Sequence, residues 1–340
     1  MDYGKLISLF ALSLAVTTLC CCPRQAHVDR EATSPPRFDA VVAADGSGDF
    51  TSIQEAIMAA PHSTTPKNRW VVLVKAGTYR ELVYVQRERG CIRLVGAAPE
   101  STVITYDLHA KVVGLDGKPI GTFRTPTVVV DGDDFVAENI TFENAAGPVA
   151  QAVALRVDGD RVVFRNCRFL GWQDTILLNR RRVYFRDCYV AGHVDFVFGG
   201  GTALFDHCHI HCRGNGYITA ASTPAAQPFG FVFSHCTISG EPGVQTYLGR
   251  PWRAHAAVAF LNTSMSEVVR PEGWHNWGKP ECESTVRFAE WQSSGPGAHP
   301  RQRVSWARQL SDAEAKAFTL ENVLAGGDGW NPAALSGEVR

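Results

Sequence analysis

The hydrophobic positions between Phe164 and Ile238 follow one short phrase that occurs four times. The copies FRNCRF, FRDCYV, FDHCHI and FSHCTI begin at Phe164, Phe185, Phe205 and Phe233. Each copy has a cysteine three residues after the phenylalanine and an apolar residue two further on, and the phenylalanines are 21, 20 and 28 residues apart. A period of about twenty residues with β-prone residues in every copy is typical of a stacked β-solenoid.

Short β-prone runs, separated by turns and without helical periodicity, also fill the chain before these copies. The predicted strands are Ala40–Ala44, Val71–Val74, Ile92–Gly96, Thr102–Tyr106, Thr127–Val130, Phe135–Phe142 and Ala152–Val157. A sandwich or a propeller also consists of short strands, but a repeat that is one coil long and stays in register favours the solenoid. The predicted fold class is therefore all-β.

Two short helices are predicted near the ends of this solenoid. Ser52 and Glu55 have the spacing of a capping box before an amphipathic segment, and Pro61 follows that segment. Ser311 and Glu314 have the same spacing near the C-terminus. We expect the first helix to cover the open end of the solenoid core.

Residues 1–22 are the only membrane-like segment, an apolar run that follows Lys5 and ends at three consecutive cysteines. The run is too short to span a membrane, so it predicts a secretory signal peptide and no transmembrane segment. Lipid attachment at Cys20, which would tether the protein to a surface, is the less favoured alternative. The polar residues 23–37 predict a linker, the solenoid domain is expected over 38–335, and the protein is expected to be secreted or periplasmic.

Composition and charge exclude some partners. The chain has 340 residues, of which 45% are apolar and 20% charged, and its formal net charge is −1. No overall basic field therefore indicates nucleic acid or an anionic membrane surface as a partner. A polyanionic substrate would have to be attracted by local charges.

Seven cysteines lie outside the signal segment, and four of them belong to the repeated phrase. An exported protein can form disulfides, and an odd number of cysteines leaves at least one thiol free. Adjacent coils lie about 4.8 Å apart, which is within the usual Cα separation of bridged cysteines. Cys188–Cys208 is the preferred bridge and Cys167–Cys188 is geometrically as easy, although most of the repeated cysteines are expected to pack in the core.

Two aspartates occupy the same place in successive copies of the phrase. Asp174 lies ten residues after Phe164, and Asp195 lies ten residues after Phe185. Stacked about 5 Å apart on neighbouring coils, the two carboxyl groups cannot both ionise cheaply, so one carboxylate and one carboxylic acid are expected near neutral pH. A nucleophile or base beside a general acid suits ester hydrolysis, and two structural turn aspartates are the alternative.

Three other side chains fit the same chemistry. Gln173 precedes Asp174, and Gln151 lies one coil earlier, so their neutral amides can bind a developing oxyanion. Arg250, in the segment LGRPW, can hold one aspartate ionised through a forked ion pair. Each of the three also has an ordinary explanation as a turn or surface residue.

Two other kinds of site are not favoured. The segment HCHIHC at His207–Cys212 has the composition of a metal cluster, but a strand places Cys208 on one face and His209 and His211 on the other. We therefore predict no metal site in this segment. The sequence has no Gly-x-Ser-x-Gly segment, which argues against a serine esterase.

Five segments resemble, in the same order, the signature blocks of the pectin methylesterase (pectinesterase) family. They are GTYRE (Gly77–Glu81), QAVALR (Gln151–Arg156), GWQDT (Gly171–Thr175), DFVFG (Asp195–Gly199) and LGRPW (Leu248–Trp252). The resemblance extends over Phe38–Pro332 and implies a single-stranded right-handed parallel β-helix that needs no metal or organic cofactor. The expected substrate is methyl-esterified homogalacturonan, and a monomer is expected.

The resemblance also implies a role for each candidate residue. Asp195 would be the nucleophile that attacks the C6 methyl ester of galacturonate. Asp174 would protonate the departing methanol and then act as base on the hydrolytic water. Gln151 and Gln173 would form the oxyanion hole, and Arg250 would orient Asp195.

The segments FGGGTALF, GYITAAST and FLNTSM resemble the bacterial secreted branch of the family more than the plant branch. This similarity implies a disulfide between Cys188 and Cys208. The substrate groove would be lined by Trp252, Tyr217, Met265, Thr122 and Phe123.

Some positions depart from the family pattern, and two rival functions share the predicted architecture. Trp172 and Leu177 replace tyrosines, and the loss of the phenol at position 177 removes an aromatic contact with a sugar subsite. His193 replaces a common threonine and would either alter the pH profile or, as we favour, pack at a turn. One rival is another pectin-active β-helix enzyme, a polygalacturonase or a lyase. The other is a solenoid that binds carbohydrate without catalysis, which would not need the five candidate catalytic residues together.

Overall fold

The computed structural model describes residues 37–335, and in this range every ladder between strands is parallel. The chain winds in successive coils, each of which adds a strand to two or three sheets, with the right-handed connection that parallel strands take. The protein is therefore a single-stranded right-handed parallel β-helix, as predicted. The signal peptide predicted at residues 1–22 lies outside the described residues, as does the linker up to its last residue.

The three sheets run along the length of the β-helix. The first sheet contains Ala40–Val42, Trp70–Val74, Ile92–Gly96, Val136–Glu138, Val162–Arg165, Arg182–Arg186, Thr202–Asp206, Phe231–Ser234, Ala257–Leu261, Arg287–Trp291 and Arg308–Gln309. The second contains Gly77–Arg80, Thr102–Tyr106, Thr141–Asn144, Arg168–Leu170, Thr237–Gly240 and Ser264–Met265. The third contains Val83–Val85, Val128–Val130, Leu155–Val157, Ile176–Leu178 and Thr246–Pro251.

Two long strands, Tyr189–Gly199 and His209–Ala221, pass from the second sheet into the third around one corner of the coil. The predicted strand over Phe135–Phe142 is in fact two strands, because Asn139 has φ 58° and turns the chain from the first sheet to the second. The other predicted strands are present with end shifts of a few residues at most.

The repeated phenylalanines stack on one another inside the coils. Phe205 lies between Phe185 and Phe233, with ring centroids 4.4 and 4.5 Å away, and all three side chains are fully buried. Phe260 continues the stack at 4.4 Å from Phe233, in a fifth copy of the phrase in which Thr263 replaces the cysteine. In-register stacking of the repeat, and with it the prediction of a solenoid, is confirmed.

The helix Ile53–Met58 covers one end of the core with its buried residues Ile53, Ala56 and Ile57. Ser52 caps it, as predicted, by accepting from the Glu55 N–H. The predicted partner carboxylate is wrong, because Glu81 rather than Glu55 accepts from the Ser52 hydroxyl and from the first two N–H groups of the helix.

The C-terminal segment lies against the outer face of the first sheet. Its helices are Asp312–Ala315 and Leu320–Leu324, and the predicted capping box of Ser311 and Glu314 is complete. Single turns of 3-10 helix occur at Arg87–Arg89, Thr122–Arg124, Pro280–Cys282 and Pro332–Leu335. Within residues 37–335 no helix has the length and apolar character needed to cross a membrane.

The cysteines of the repeat form a buried ladder of free thiols, so the predicted Cys188–Cys208 disulfide is absent. The thiol of Cys188 donates to the carbonyl of Arg186 at 3.3 Å, and that of Cys208 donates to the carbonyl of Asp206 at 3.6 Å. Each sulfur therefore points toward the backbone in the same direction in its own coil. Coil spacing brings the Cα atoms within bridging range, but each sulfur keeps a carbonyl partner of its own instead of forming the bridge.

Candidate active site

Asp174 and Asp195 lie at the corner between the second and third sheets, on neighbouring coils. The ladder that pairs Ile176 with Val197 brings the two aspartates to equivalent positions, and the Asp174 N–H donates to the carbonyl of Val194 at 3.1 Å. Both aspartates have left-handed backbone conformations, with φ values of 66° and 52°. The stacking that the repeat predicts is therefore present, at a corner with an irregular backbone, a feature common at functional sites.

The two carboxyl groups are buried and electrostatically coupled. Asp174 is 8% exposed and Asp195 is 5% exposed. Burial raises the pKa of Asp174 to about 8, with a further contribution from the negative charge of Asp195. Burial also raises the pKa of Asp195, but the hydrogen bonds and charge of Arg250 oppose this rise. At neutral pH the pair therefore holds one proton, on Asp174, and Asp195 is the carboxylate.

Arg250 binds the Asp195 carboxylate with a two-pronged ion pair. Its Nε donates to Oδ1 at 2.8 Å, and its Nη2 donates to Oδ2 at 2.6 Å. The strand that carries Arg250 packs closely against the strand that carries Thr219, and this requires a glycine at position 249. A Cβ there would lie 2.0 Å from the Thr219 hydroxyl oxygen. Arg250 therefore stabilises the ionised form of Asp195 and fixes its orientation.

The guanidinium of Arg250 is also enclosed by two aromatic rings. Its central carbon lies 3.9 Å from the ring centroid of Tyr217 and 3.6 Å from that of Trp277. The backbone N–H of Trp277 in turn donates to Nδ1 of His275 at 2.9 Å. Stacking on both faces restricts the guanidinium to the plane in which it meets Asp195.

Gln151 and Gln173 approach the same corner from two successive coils. The Ala152 N–H donates to the carbonyl of Gln173 at 3.1 Å, which joins the two coils next to the aspartates. Both glutamines are half-buried, and neither side-chain amide bonds to another residue within 37–335. Their amide N–H groups are therefore available to a bound oxygen atom.

Aromatic side chains extend the site along the outer face of the third sheet. Trp252 is stacked on Phe123 with ring centroids 6.5 Å apart, and Phe198 lies 5.9 Å from Trp252. Phe123, in the turn with Thr122, is 53% exposed. The rings of Trp252 and Phe123 are partly exposed and offer a surface on which a sugar ring can stack, whereas Phe198 is buried beside Trp252.

The structure does not support Met265 as a groove residue. Met265 is fully buried in the main core, and it pairs with Ile238. Ile238 continues the inward ladder of Phe169, Val190 and Ile210. Met265 lies five residues after Phe260, as Ile238 lies five after Phe233, so it is the inward apolar position of the fifth copy.

The three departures from the family pattern all lie near the site. Leu177, which stands where the family pattern has a tyrosine, is fully buried in an apolar cluster against which Trp252 and Trp277 pack. Its side chain therefore contributes to packing and has no exposed ring to offer a sugar. Trp172 and His193 pack edge to face at 5.5 Å, and burial lowers the pKa of His193.

Sequence reasoning missed Trp277 and His275, which contact the site from a loop beyond the repeats. The signal available was the pair of tryptophans in GWHNWG, which stands out in a loop. Trp274 pairs with Gly249 in the fold, but nothing in the sequence indicates this, because no copy of the repeated phrase covers the segment.

A parallel β-helix with a singly protonated carboxyl pair, a forked arginine and free amide donors defines a carboxylic ester hydrolase. The pectinesterase family model matches residues 39–328. Pectinesterase 31 of Arabidopsis thaliana is 45% identical over 289 residues, which are 82% of this chain and 89% of that protein. The chain belongs to the pectinesterase family.

Two solved structures agree with this assignment. Pectin methylesterase from carrot has a TM-score of 0.81 and 36% identity, covering 87% of this chain and 95% of that chain. Pectin methylesterase PemA from Erwinia chrysanthemi has a TM-score of 0.75 and 32% identity, covering 87% and 98%. The two plant proteins have higher identity than the bacterial one, so these matches do not support a closer resemblance to the bacterial branch.

Proposed function

We propose that this protein removes the methyl groups from the C6 esters of homogalacturonan, with Asp195 as nucleophile and Asp174 as general acid and base. The observation that carries the proposal is the unequal carboxyl pair, in which burial raises the pKa of Asp174 to about 8 while Arg250 holds Asp195 ionised. Names of the similar proteins, pectinesterase and pectin methylesterase, agree with a pectin substrate.

In the first half-reaction an Asp195 oxygen attacks the ester carbonyl carbon and forms a tetrahedral intermediate. The amides of Gln151 and Gln173 donate to the oxyanion and stabilise its negative charge. The carbon–oxygen bond to the methoxy group then breaks, and Asp174 transfers its proton to that oxygen. Methanol leaves, and the galacturonyl group remains bound to Asp195 as an acid anhydride.

In the second half-reaction Asp174, now a carboxylate, takes a proton from a water molecule. The hydroxide attacks the anhydride carbonyl, and the bond to Asp195 breaks. Asp195 returns to the carboxylate that Arg250 stabilises, the product leaves as a free acid, and Asp174 is protonated again. Water enters and methanol leaves, so the cycle restores both groups.

The polymer would lie across Trp252, with Tyr217, Thr122 and Phe123 beside it. Trp252 and Phe123 offer half-exposed ring faces for sugar stacking. Since pectin is extracellular, the proposal includes export by the signal peptide at residues 1–22, with 23–37 as linker and 38–335 as the catalytic domain acting as a monomer.

Methanol release from methylated pectin tests the proposed function. The wild-type protein should release methanol without shortening the polymer, and Asp195→Ala should release none while its circular dichroism spectrum is unchanged. Undiminished activity of Asp195→Ala would overturn the mechanism. Shortened chains would indicate a polygalacturonase, unsaturated ends a lyase, and binding without any product a carbohydrate-binding solenoid.

A further inference from the structure

A second ladder of polar side chains lies at the corner between the first and second sheets. In seven successive coils the residue that ends the first-sheet strand is followed by one with φ between 48° and 58°. These residues are Asn139, Asn166, Asp187, His207, His235, Asn262 and Gln292. The residue before the repeated cysteine is therefore a histidine in two neighbouring coils, and the register aligns the two.

The two histidines and one aspartate converge at this corner. The rings of His207 and His235 are stacked, with centroids 5.0 Å apart and an interplanar angle of 12°. The Asp206 carboxylate lies 2.7 Å from Nδ1 of His207, and one potential ligand atom from each of the three residues lies within 4.8 Å of the other two. Both histidines are exposed and Asp206 is half-buried, so the group is open to an ion from solvent.

We propose that Asp206, His207 and His235 bind a divalent transition-metal ion of the zinc, copper or nickel class. Two imidazoles and one carboxylate, with water in the remaining positions, are ligands that these ions prefer. A bond of about 2.0–2.1 Å to each nitrogen requires the ligand atoms to draw together, and exposed side chains can rotate to do so. The coil spacing supplies the approach without any change in the backbone.

Hydrogen bonds already orient the ligand atoms. Nδ1 of His207 lies 2.7 Å from the Asp206 carboxylate, so an ion that replaces the proton between them would be bound by both atoms. The Asn262 amide donates to Nε2 of His235 at 3.3 Å, and the Ser234 hydroxyl lies 2.9 Å from Nδ1 of the same ring, so the ion would take the place of one of these two partners. Both imidazoles can therefore act as neutral ligands.

The charges around the group also favour a cation. Arg186 is the positive neighbour, and it is paired with Asp206 and, at 3.1 Å, with Asp187. One positive and two negative groups leave a net charge of −1 when both histidines are neutral. The Tyr184 hydroxyl donates to the other Asp206 oxygen at 2.8 Å and holds the carboxylate in place.

A metal here would act as a clamp between two coils. His207 and His235 belong to successive coils, whereas Asp174 and Asp195 lie at the corner between the second and third sheets. Binding to the folded state alone would stabilise the fold in proportion to metal concentration. The site should therefore affect stability and leave ester hydrolysis unchanged.

The chain itself supplies the matched test variants. Asn166 and Asn262 have the same backbone conformation as the two histidines, with φ 48° for both, so His207→Asn and His235→Asn should keep the turn. His209→Asn is the control, because His209 is a nearby histidine that bonds to Ser239 outside the group. The full-length protein, freed of metal with a chelator, is titrated with Zn²⁺ in a calorimeter and melted with and without Zn²⁺.

Wild type and His209→Asn should each bind one Zn²⁺ and melt at a higher temperature in its presence. His207→Asn and His235→Asn should each bind it at least about tenfold more weakly and lose the Zn²⁺-dependent rise in melting temperature. Equal Zn²⁺ affinity in all four proteins would overturn the proposal, since the ion would then bind elsewhere. Absence of Zn²⁺, Cu²⁺ and Ni²⁺ binding to the wild type would overturn it as well.

Discussion

The guanidinium of Arg250 binds the Asp195 carboxylate through two hydrogen bonds, from Nε to Oδ1 at 2.8 Å and from Nη2 to Oδ2 at 2.6 Å. Arg250 comes from a strand two coils further along, and Ala220 lies between it and Phe198 in the outward row of the third sheet. A small residue at this position leaves room for the long side chain to reach back. A contact between two segments distant in sequence thus keeps Asp195 ionised, as the proposed mechanism requires of the nucleophile.

Arg250→Lys should lose most of the activity although it keeps the positive charge. A lysine offers a point charge in place of the fork and cannot stack flat between Tyr217 and Trp277. We expect kcat for methanol release to fall by roughly a hundredfold. Arg80→Lys, in the exposed pair with Asp107, is the control and should retain full activity. Wild-type kcat in Arg250→Lys would contradict the orienting role.

The pH dependence of activity should reflect the two aspartates. Burial raises the pKa of Asp174 to about 8, so its proton is present below that pH and kcat/KM should decline above it. On the acid side kcat/KM should fall as Asp195 becomes protonated. Burial raises the pKa of Asp195 and Arg250 opposes this rise, so the acid limb of the Arg250→Lys profile should move to higher pH. Methanol release measured between about pH 4 and pH 10 checks both limbs, and an activity that keeps rising above pH 9 would rule out Asp174 as the acid.

The raised pKa of Asp174 also predicts how the free energy of unfolding depends on pH. The pKa of Asp174 is 3.8 in the unfolded chain and about 8 in the folded protein, so the folded state binds the proton more tightly. Its contribution to stability is full below pH 3.8 and is lost as pH rises through about 8. Asp174→Asn cannot ionise, so its stability relative to wild type should rise by up to about 1.4 kcal/mol per pH unit across this window.

Urea unfolding of both proteins at pH 4, 6 and 8.5 measures this difference. Titrating groups other than Asp195, whose carboxyl is coupled to that of Asp174, are shared and cancel when the two free energies of unfolding are subtracted. A difference that stays constant with pH would mean that Asp174 is not held protonated by the fold.

The repeat is the reason why much of the site could be predicted from the sequence. Because the coils are in register, each position of one copy lies beside the same position of the next. The pairing of Phe164 with Phe185 therefore predicts that Asp174 lies beside Asp195. The same rule, applied to the fifth copy, would have identified Met265 as a core residue. It also pairs His207 with His235 on neighbouring coils, a relationship that the strand pattern of His207–Cys212 alone does not give.

The features that could not be predicted from the sequence depend on the orientation of side chains and not on the spacing of residues along the chain. The distance between Cys188 and Cys208 follows from the coil, but the carbonyl each thiol bonds to does not. Trp277 reaches Arg250 from a segment that lies outside the copies of the repeated phrase, although Trp274 in that segment pairs with Gly249. Both features need coordinates because no periodic pattern encodes them.

His275 should support catalysis by holding that loop. Its Nδ1 accepts from the Trp277 N–H at 2.9 Å, and Trp277 has φ 60°, so the bond stabilises a turn that few residues other than glycine adopt readily. His275→Ala removes the acceptor, and we expect kcat/KM to fall roughly tenfold, about the worth of one hydrogen bond of 1.4 kcal/mol. His275→Asn should restore activity, because its side-chain oxygen can accept from the same N–H two residues on.

The control for this pair is His255→Ala, which alters an exposed histidine in the preceding loop. It should have wild-type kcat/KM and a wild-type pH profile. Burial and the charge of Arg250 lower the pKa of His275, so the neutral ring that accepts the bond persists into mildly acidic solution. If His275→Ala and His275→Asn lose activity equally, the ring itself rather than its acceptor nitrogen supports Trp277.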